Sequence, residues 1–181
     1  MFSVIFPGQG SQIVGMGKDL HSKYNIIKKL FKEADEILGF SISNIILEGP
    51  KEKLDLTENT QPAIFLLGYS IFNLLKKENF IDLNKAKFFA GHSLGEYTAL
   101  ASAEVLSFSE TLKILKVRGN AMQNSVPKGE GGMVAVLGSD IKKIEDIINN
   151  NSKLYECFIA NDNSDGQIVV SGKTNDLDKF I

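Results

Sequence analysis

The apolar positions of the chain change their period several times, and each change predicts an element of secondary structure. Phe2–Phe6 is a short apolar run that stops at Pro7 and Gly8, which is typical of a buried strand that feeds a turn. Residues 87–90 form a second run of the same kind. Between and after these runs, apolar residues recur at three- and four-residue spacings, and this period predicts amphipathic helices.

Start and stop signals place these helices along the chain. Asn25 is predicted to cap one helix and Gly39 to end it. Pro62 is expected to open another, because proline is favoured at the first helical position. Ser107 and Glu110 form an S-x-x-E capping box in front of a third apolar pattern. Strands that alternate with helices predict an α/β fold with a parallel sheet.

The composition changes at residues 126–132, VPKGEGG, where a proline and three glycines interrupt the helical pattern. This segment is the best candidate for a domain boundary. We therefore divide the chain into residues 1–126, the larger domain, and residues 127–181, the smaller one.

The smaller domain shows strand patterns on both sides of a helix. Strands are predicted at 133–137, 155–159 and 167–170, helices at 140–150 and from 177 onward, and a turn at 161–166, NDNSDG. The order strand, helix, strand, strand, helix is that of a ferredoxin-like split unit without its final strand. This predicts that the chain is an N-terminal piece of a longer protein.

Composition and charge narrow the class of protein. Hydrophobic residues make up 43% and charged residues 23% of the chain, and the net charge of −2 is spread without blocks of one sign. These values are typical of a soluble globular protein and give no indication of a nucleic-acid partner. Lys28, Lys29 and Lys32 interleave with apolar residues at helical spacing, which favours a solvated helix face over a basic binding stripe.

Cysteine and histidine are scarce. One cysteine, Cys157, excludes an internal disulfide, and two histidines leave too few ligands for a structural zinc site. We interpret Cys157 as a small core residue. Because we see neither a basic leader with a long apolar segment nor an apolar run near the ~20 residues of a membrane span, we expect no membrane partner and a cytoplasmic location.

The segment GHSLG, residues 91–95, follows the second predicted strand and precedes a helical pattern. It fits G-x-S-x-G, in which flanking glycines allow a sharp strand-to-helix turn that exposes the serine hydroxyl. Ser93 is therefore a candidate nucleophile, and the amide of Leu94 at the helix start could stabilise a negative oxygen. The alternative is an ordinary turn, since a pattern with three fixed positions also occurs by chance.

The segment PGQGSQ, residues 7–12, begins as a dinucleotide-binding fingerprint, but Ile13 stands where the third glycine is needed, and the lysine of a phosphate loop is missing. If the two strands are neighbours in the sheet, Gln9 and Ser93 meet at their carboxyl ends. Gln9 could then lend an amide to the site; a flexible turn is the alternative.

Candidates for a general base are few. His92 directly precedes Ser93, and adjacent side chains on a tight turn diverge, while His21 lies among polar helix residues and is expected to be solvated. The base is therefore predicted to lie beyond Ile181. Arg118 falls on a mostly apolar helix face. From the residues alone, a buried ion pair or a packed stem with a solvated head is the first interpretation, and a fork for a substrate carboxylate is the second.

Several motifs occur together in one order: GQGSQ, NTQPA, GHSLGEY and VRGNAMQ, followed by GGMVAVLG and GQIVVSG. With this set the chain resembles the malonyl-CoA:acyl carrier protein transacylases of bacterial fatty acid synthesis, over essentially its whole length. The resemblance implies a core like an α/β hydrolase with an inserted ferredoxin-like subdomain, here incomplete.

The resemblance also implies a set of roles. Ser93 would carry the acyl group, Gln9 and the Leu94 amide would form the oxyanion hole, and Arg118 would bind the malonate carboxylate. His92 and Gln61 complete the set as substrate-binding residues. The implied partners are malonyl-CoA and acyl carrier protein. The resemblance also implies a monomeric enzyme that needs no metal or redox cofactor. The catalytic histidine of the family matches no residue of this chain, so a noncatalytic acyl- or carrier-binding fragment and a serine thioesterase stay open as alternatives.

Overall fold

The structure is a computed structural model that describes residues 1–127 and 129–181. Lys128, which belongs to the predicted boundary segment, lies outside the described residues. The chain divides into two compact units, Met1–Gln123 and Asn124–Ile181.

The larger unit is a mixed α/β structure with helices on a small parallel sheet. Its elements are β1 (Phe2–Phe6), α1 (Lys18–Lys23), α2 (Asn25–Leu38), α3 (Ile42–Glu48), α4 (Lys51–Leu54), α5 (Thr57–Lys77), a 3-10 turn (Leu83–Lys85), β2 (Ala86–Gly91), α6 (Leu94–Ser102) and α7 (Phe108–Gln123). Strands β1 and β2 pair in parallel, with Phe6 opposite Gly91. The predicted parallel pairing is confirmed, and it brings the turns after both strands to one edge of the sheet.

Local signals set two of the helix ends. Gly39 ends α2 with φ of 74°, a left-handed conformation that glycine adopts easily. The predicted cap at Asn25 is wrong, because Asn25 is already helical and Tyr24 precedes the helix without a side-chain cap. At the start of α7, Ser107 Oγ accepts from the Glu110 amide (3.2 Å), while the Glu110 carboxylate accepts from the Ser107 amide (3.0 Å). These bonds to Ser107 lower the pKa of Glu110. The predicted capping box is therefore confirmed.

The start of α5 differs from the prediction, since the helix begins at Thr57 and Pro62 lies inside it. Two buried polar side chains account for the earlier start. Thr60 Oγ1 donates to the carbonyl of Leu54 (2.5 Å), and Asn59 Nδ2 donates to the carbonyl of Lys53 (2.9 Å). These bonds tie the first turns of α5 to the preceding helix, so the chain is already helical when it reaches the proline.

One hydrophobic cluster lies between α2, α5 and α7. Its largest fully buried side chains are Ile27, Phe31, Ile42, Ile46, Leu54, Phe65, Leu66, Leu94, Leu112 and Leu115. The rings of Phe65, Tyr69 and Phe108 stack on one another, with centroids 5.1 to 5.7 Å apart. Burial of this apolar surface fixes α5 and α7 against each other, and both helices carry residues of the candidate site.

The smaller unit is an antiparallel sheet with two helices. Its elements are β3 (Gly131–Leu137), α8 (Ile141–Asn150), β4 (Cys157–Ser164), β5 (Gln167–Lys173) and α9 (Thr174–Phe180), and the strand order is β3-β5-β4. The predicted turn at 161–166 is wrong for residues 161–164, which extend β4 and pair with β5. Only Asp165 and Gly166 connect the strands, with Gly166 at φ of 78°, as an Asp-Gly hairpin favours.

Cys157 lies in the core of the smaller unit, as predicted, beside Ile144, Ile168 and Val170. Its burial raises the pKa of the thiol. Among residues 1–127 and 129–181, no helix is both long and apolar enough to cross a membrane. The same residues contain no group of three or more His, Cys, Asp or Glu side chains that could hold a metal ion.

Candidate active site

The turns after β1 and β2 are in close contact at the edge of the sheet. The His92 amide donates to the carbonyl of Phe6 (3.3 Å). A Cβ on Gly95 would lie 2.4 Å from the same carbonyl oxygen, and a Cβ on Gly8 would lie 2.8 Å from Nδ1 of His92. Only glycine fits at these two contacts, because a methyl group would overlap the neighbouring turn.

The turn that carries Ser93 is sharp and strained. Ser93 is exposed and has φ of 55° and ψ of −114°, a conformation that non-glycine residues rarely adopt. A Cβ on Gly91 would lie 1.9 Å from the carbonyl carbon of Gly95, so the chain folds back on itself without room for a side chain. The hydroxyl of Ser93 does not cap α6, which begins at Leu94. The sequence thus places an exposed hydroxyl beside the first amide groups of a helix.

Arg118 reaches Ser93 from α7. Its Nη2 donates to Ser93 Oγ (3.1 Å), and its Nη1 donates to Gln61 Oε1 (2.7 Å). The guanidinium carbon also lies 5.7 Å from the ring centre of Tyr97. The structure therefore brings Ser93, Arg118 and Gln61 into one constellation, although they are far apart in the sequence.

A close helix crossing places Arg118 there. A Cβ on Gly119 would lie 2.7 Å from the Cα of Glu58 and 2.8 Å from the carbonyl oxygen of Thr57. The glycine lets α7 approach the first turn of α5 backbone to backbone. Gln123 strengthens this contact, since its Oε1 accepts from the Thr57 amide (3.1 Å).

The guanidinium of Arg118 is half-buried and has neutral partners. Within the described ranges 1–127 and 129–181, no ion pair within 4.0 Å involves Arg118. For these residues the interpretation of Arg118 as part of a buried ion pair is wrong. A positive charge that is held by an amide, a hydroxyl and an aromatic ring retains its attraction for an anion.

Gln61 lies behind Arg118 and is fully buried. Its Nε2 donates to the thioether sulfur of Met122 (3.0 Å), while its Oε1 accepts from Arg118. Arginine can only donate hydrogen bonds, so the amide orientation follows from its partner. Both ends of this buried amide are satisfied within the larger unit.

Gln9 is exposed on the turn after β1, and its Nε2 donates to Thr57 Oγ1 (3.3 Å). Gln12 supports this turn, because its Oε1 accepts from the Gly10 amide (2.8 Å) and its Nε2 donates to Asp55 Oδ1 (3.0 Å). The bond from Gln12, together with Lys51, lowers the pKa of Asp55. The turn is thereby attached to the start of α5.

The two histidines have different environments. His92 is exposed and lies over Gly8, whereas His21 packs against the ring of Phe31 at a centroid distance of 5.1 Å. His21 is half-buried, so the expectation that it is solvated is wrong, and desolvation together with Lys28 lowers its pKa.

Sequence reasoning missed several residues around the site. Tyr97 lies in the first turn of α6, four positions after Ser93, and this proximity in the sequence could have identified it. Thr57, the sulfur of Met122 and the bond from Gln12 to Asp55 offered no such signal, because the partners are distant in the chain.

The sequence of the chain matches one family model over most of its length. Residues 3–181 match the family model described as "Acyl transferase domain", and the chain belongs to this family. The chain is 43% identical over 171 residues to the malonyl CoA-acyl carrier protein transacylase of Bacillus subtilis, covering 93% of this chain and 52% of that protein. It is 39% identical over 182 residues to the Staphylococcus aureus (strain MRSA252) transacylase, covering 99% of this chain and 56% of that protein.

Solved structures agree. The acyl-carrier-protein-S-malonyltransferase from Bartonella henselae superposes with a TM-score of 0.92 at 42% identity, over 99% of this chain and 58% of that one. The chain is thus a homologue of malonyl-CoA:acyl carrier protein transacylases, acyltransferases of fatty acid biosynthesis. It spans about half the length of the relatives that it matches.

Proposed function

We propose that this chain belongs to an acyltransferase that moves a malonyl group from coenzyme A to the phosphopantetheine thiol of acyl carrier protein, with an acyl-enzyme on Ser93 as intermediate. One observation carries the proposal: Arg118 Nη2 lies 3.1 Å from Ser93 Oγ, and its guanidinium has only neutral contacts in the described part of the chain. A nucleophile beside an unpaired cation suits an acyl group that ends in a carboxylate.

The proposed reaction has two transfers. The hydroxyl of Ser93 attacks the thioester carbonyl of malonyl-CoA, the carbon–sulfur bond breaks, and coenzyme A leaves as its thiol with the serine proton. The thiol of the carrier protein then attacks the serine ester and restores the hydroxyl. The Leu94 amide and Gln9 stabilise the oxyanion in both steps, and Arg118 holds the malonyl carboxylate, with His92 beside the acyl group.

The serine proton needs a base. His92 lies over Gly8, and His21 packs on Phe31. We therefore propose that the base is supplied by a residue outside these 181 residues.

The proposal extends to architecture and partners. We propose that residues 1–126 form part of a core like an α/β hydrolase and residues 127–181 part of a ferredoxin-like subdomain. One solved relative, with 33% identity and a TM-score of 0.91, is a malonyl-transacylase in complex with a type II PKS acyl-carrier protein. On this basis we propose a carrier-protein partner for a monomeric enzyme, with the cytoplasm as its expected location.

Acylation of the purified chain tests this function. We expect malonyl-CoA to add a malonyl group to Ser93, seen by intact-protein mass spectrometry and peptide mapping, and added imidazole to speed the addition as a substitute base. Ser93→Ala should abolish the adduct. Arg118→Ala should lose the malonyl adduct and retain an acetyl adduct from acetyl-CoA.

The other outcomes are equally informative. Free malonate without an adduct would indicate a thioesterase, and neither product, with or without imidazole, would indicate a noncatalytic fragment. An unchanged preference for malonyl over acetyl in Arg118→Ala would refute the role of the arginine.

A further inference from the structure

Gln61 acts on Arg118 with an uncharged group, although a charged one would fit the same space. Its Oε1 accepts from Arg118 Nη1 at 2.7 Å, and glutamate in its place would offer an oxygen at the same position. A carboxylate would bind the guanidinium more tightly, because hydrogen bonds between two charged groups are stronger than those to a neutral amide. At the contact with Arg118, glutamate would therefore serve at least as well as glutamine.

Glutamine and glutamate at position 61 differ in their charge. Arg118 contacts an amide, a hydroxyl and the Tyr97 ring, and within residues 1–127 and 129–181 it makes no ion pair. A buried carboxylate at position 61 would bind Nη1 of Arg118 and neutralise the guanidinium, while Nη2 contacts Ser93. An incoming carboxylate would then meet an ion pair in place of a cation, and its attraction would fall.

The environment of Gln61 also fixes which end of its amide faces the arginine. Nε2 donates to Met122 Sδ at 3.0 Å, and the side chain is fully buried between α5 and α7. A thioether accepts hydrogen bonds weakly and carries no charge. Met122 therefore satisfies the amide without adding a negative charge near Arg118.

We propose that Gln61 is a positioning residue that sets the acyl specificity of the site: it holds the Arg118 guanidinium toward Ser93 while leaving its positive charge available to a substrate carboxylate. This inference rests on the proposed function, because it assumes that Arg118 binds the free carboxylate of a malonyl group.

Binding without chemistry tests the proposal. In a Ser93→Ala background, malonyl-CoA and acetyl-CoA are titrated into the 181-residue chain by calorimetry, and the ratio of the two affinities is the readout. We expect the Ser93→Ala chain with Gln61 in place to bind malonyl-CoA about tenfold or more tightly than acetyl-CoA, the size of a charge-assisted contact. Gln61→Glu should remove this preference, because the new carboxylate neutralises Arg118. Gln61→Leu should retain part of it, because Arg118 loses its hydrogen bond to residue 61 but keeps its positive charge.

The order of the two variants distinguishes specificity from structure. A merely structural role would make leucine the more harmful change, since glutamate retains the hydrogen bond to Arg118. We therefore expect the urea midpoint of Gln61→Glu to equal or exceed that of Gln61→Leu while its malonyl preference is the lower one. Gln123→Glu is the matched control: it introduces the same charge between α5 and α7 but accepts from the Thr57 amide. It should leave the preference unchanged.

A malonyl preference in Gln61→Glu that equals or exceeds that of Gln61→Leu would overturn the inference and leave the proposed function intact. If the Ser93→Ala chain with Gln61 in place binds both thioesters equally, the inference and the carboxylate role of Arg118 are overturned together. Retained preference with no acylation of Ser93 would contradict only the proposed transfer reaction.

Discussion

The turns after β1 and β2 both contain closely spaced glycines, yet their glycines meet different needs. Gly10, in the first turn, has φ of 105° and nothing within 4 Å of the position of its missing Cβ. Gly91, in the second, has no left-handed φ, but its Cβ would overlap the backbone of Gly95. Gly10 is needed for its conformation and Gly91 for its lack of volume. The backbone overlap at Gly91 lies beside the bend that presents Ser93.

The largest expected effect comes from adding a methyl group to each turn. Gly91→Ala should lower the free energy of unfolding by about 3 kcal/mol or more, because backbone must move to make room. Gly10→Ala should cost about 1–2 kcal/mol, since only a left-handed conformation is penalised. Urea unfolding followed by far-UV circular dichroism measures both. Equal costs at the two positions would contradict the comparison.

A smaller effect is expected from the strained serine. Ser93→Gly and Ser93→Ala both remove the hydroxyl, but glycine also relieves the positive φ, so the glycine variant should be more stable by about 1 kcal/mol. The same pair of changes at Ser109, in the first turn of α7, is the control, where the helical backbone should reverse the order. If alanine is the more stable variant at both positions, the turn at Ser93 stores no strain.

The smallest expected effect is a pH dependence of the stability, which arises from the contact of the first turn with Asp55. The hydrogen bond from Gln12, with Lys51, lowers the pKa of Asp55. A carboxyl group whose pKa is lowered on folding stabilises the fold above its ordinary pKa of about 4 and loses this contribution as the pH falls through its lowered value. We expect the stability difference between the wild type and Asp55→Asn to narrow in that acid range.

Gln12→Leu is the control for this pH effect. It removes the largest cause of the shift but leaves the carboxyl group in place, so its acid dependence should lie between those of the wild type and Asp55→Asn. A difference between wild type and Asp55→Asn that stays constant down to pH 3 would show that Asp55 supports the turn without its charge.

Features that depend on neighbouring residues could be predicted from the sequence. The strands β1 and β2, the capping box of α7 and the turn at Ser93 all follow from local chemistry. The short helices α1, α3 and α4 could not, because four to seven residues carry too little periodicity. The predicted start of α5 was wrong for another reason. Buried polar side chains of this helix bond to the preceding segment, and the sequence does not show such bonds.

The contacts of the candidate site were the hardest part to predict. The pattern G-x-S-x-G pointed to Ser93, and Arg118 stood out as a cation on an apolar face. Their contact through Nη2, and the bond from Arg118 to Gln61, join residues 25 and 57 positions apart. Such contacts depend on how α5 and α7 cross, and Gly119 allows the close backbone approach to Glu58 at that crossing.

The pairing of β1 with β2 has a consequence for when the serine acquires its special geometry. The carbonyl of Phe6 accepts from the His92 amide and leaves no space beyond Gly95, so a residue near the start of the chain shapes a bend more than eighty positions later. We expect a copy in which the first strand has not docked to lack this bend at Ser93. A difference in the rate of chemical modification of this serine would then report whether the strand has docked.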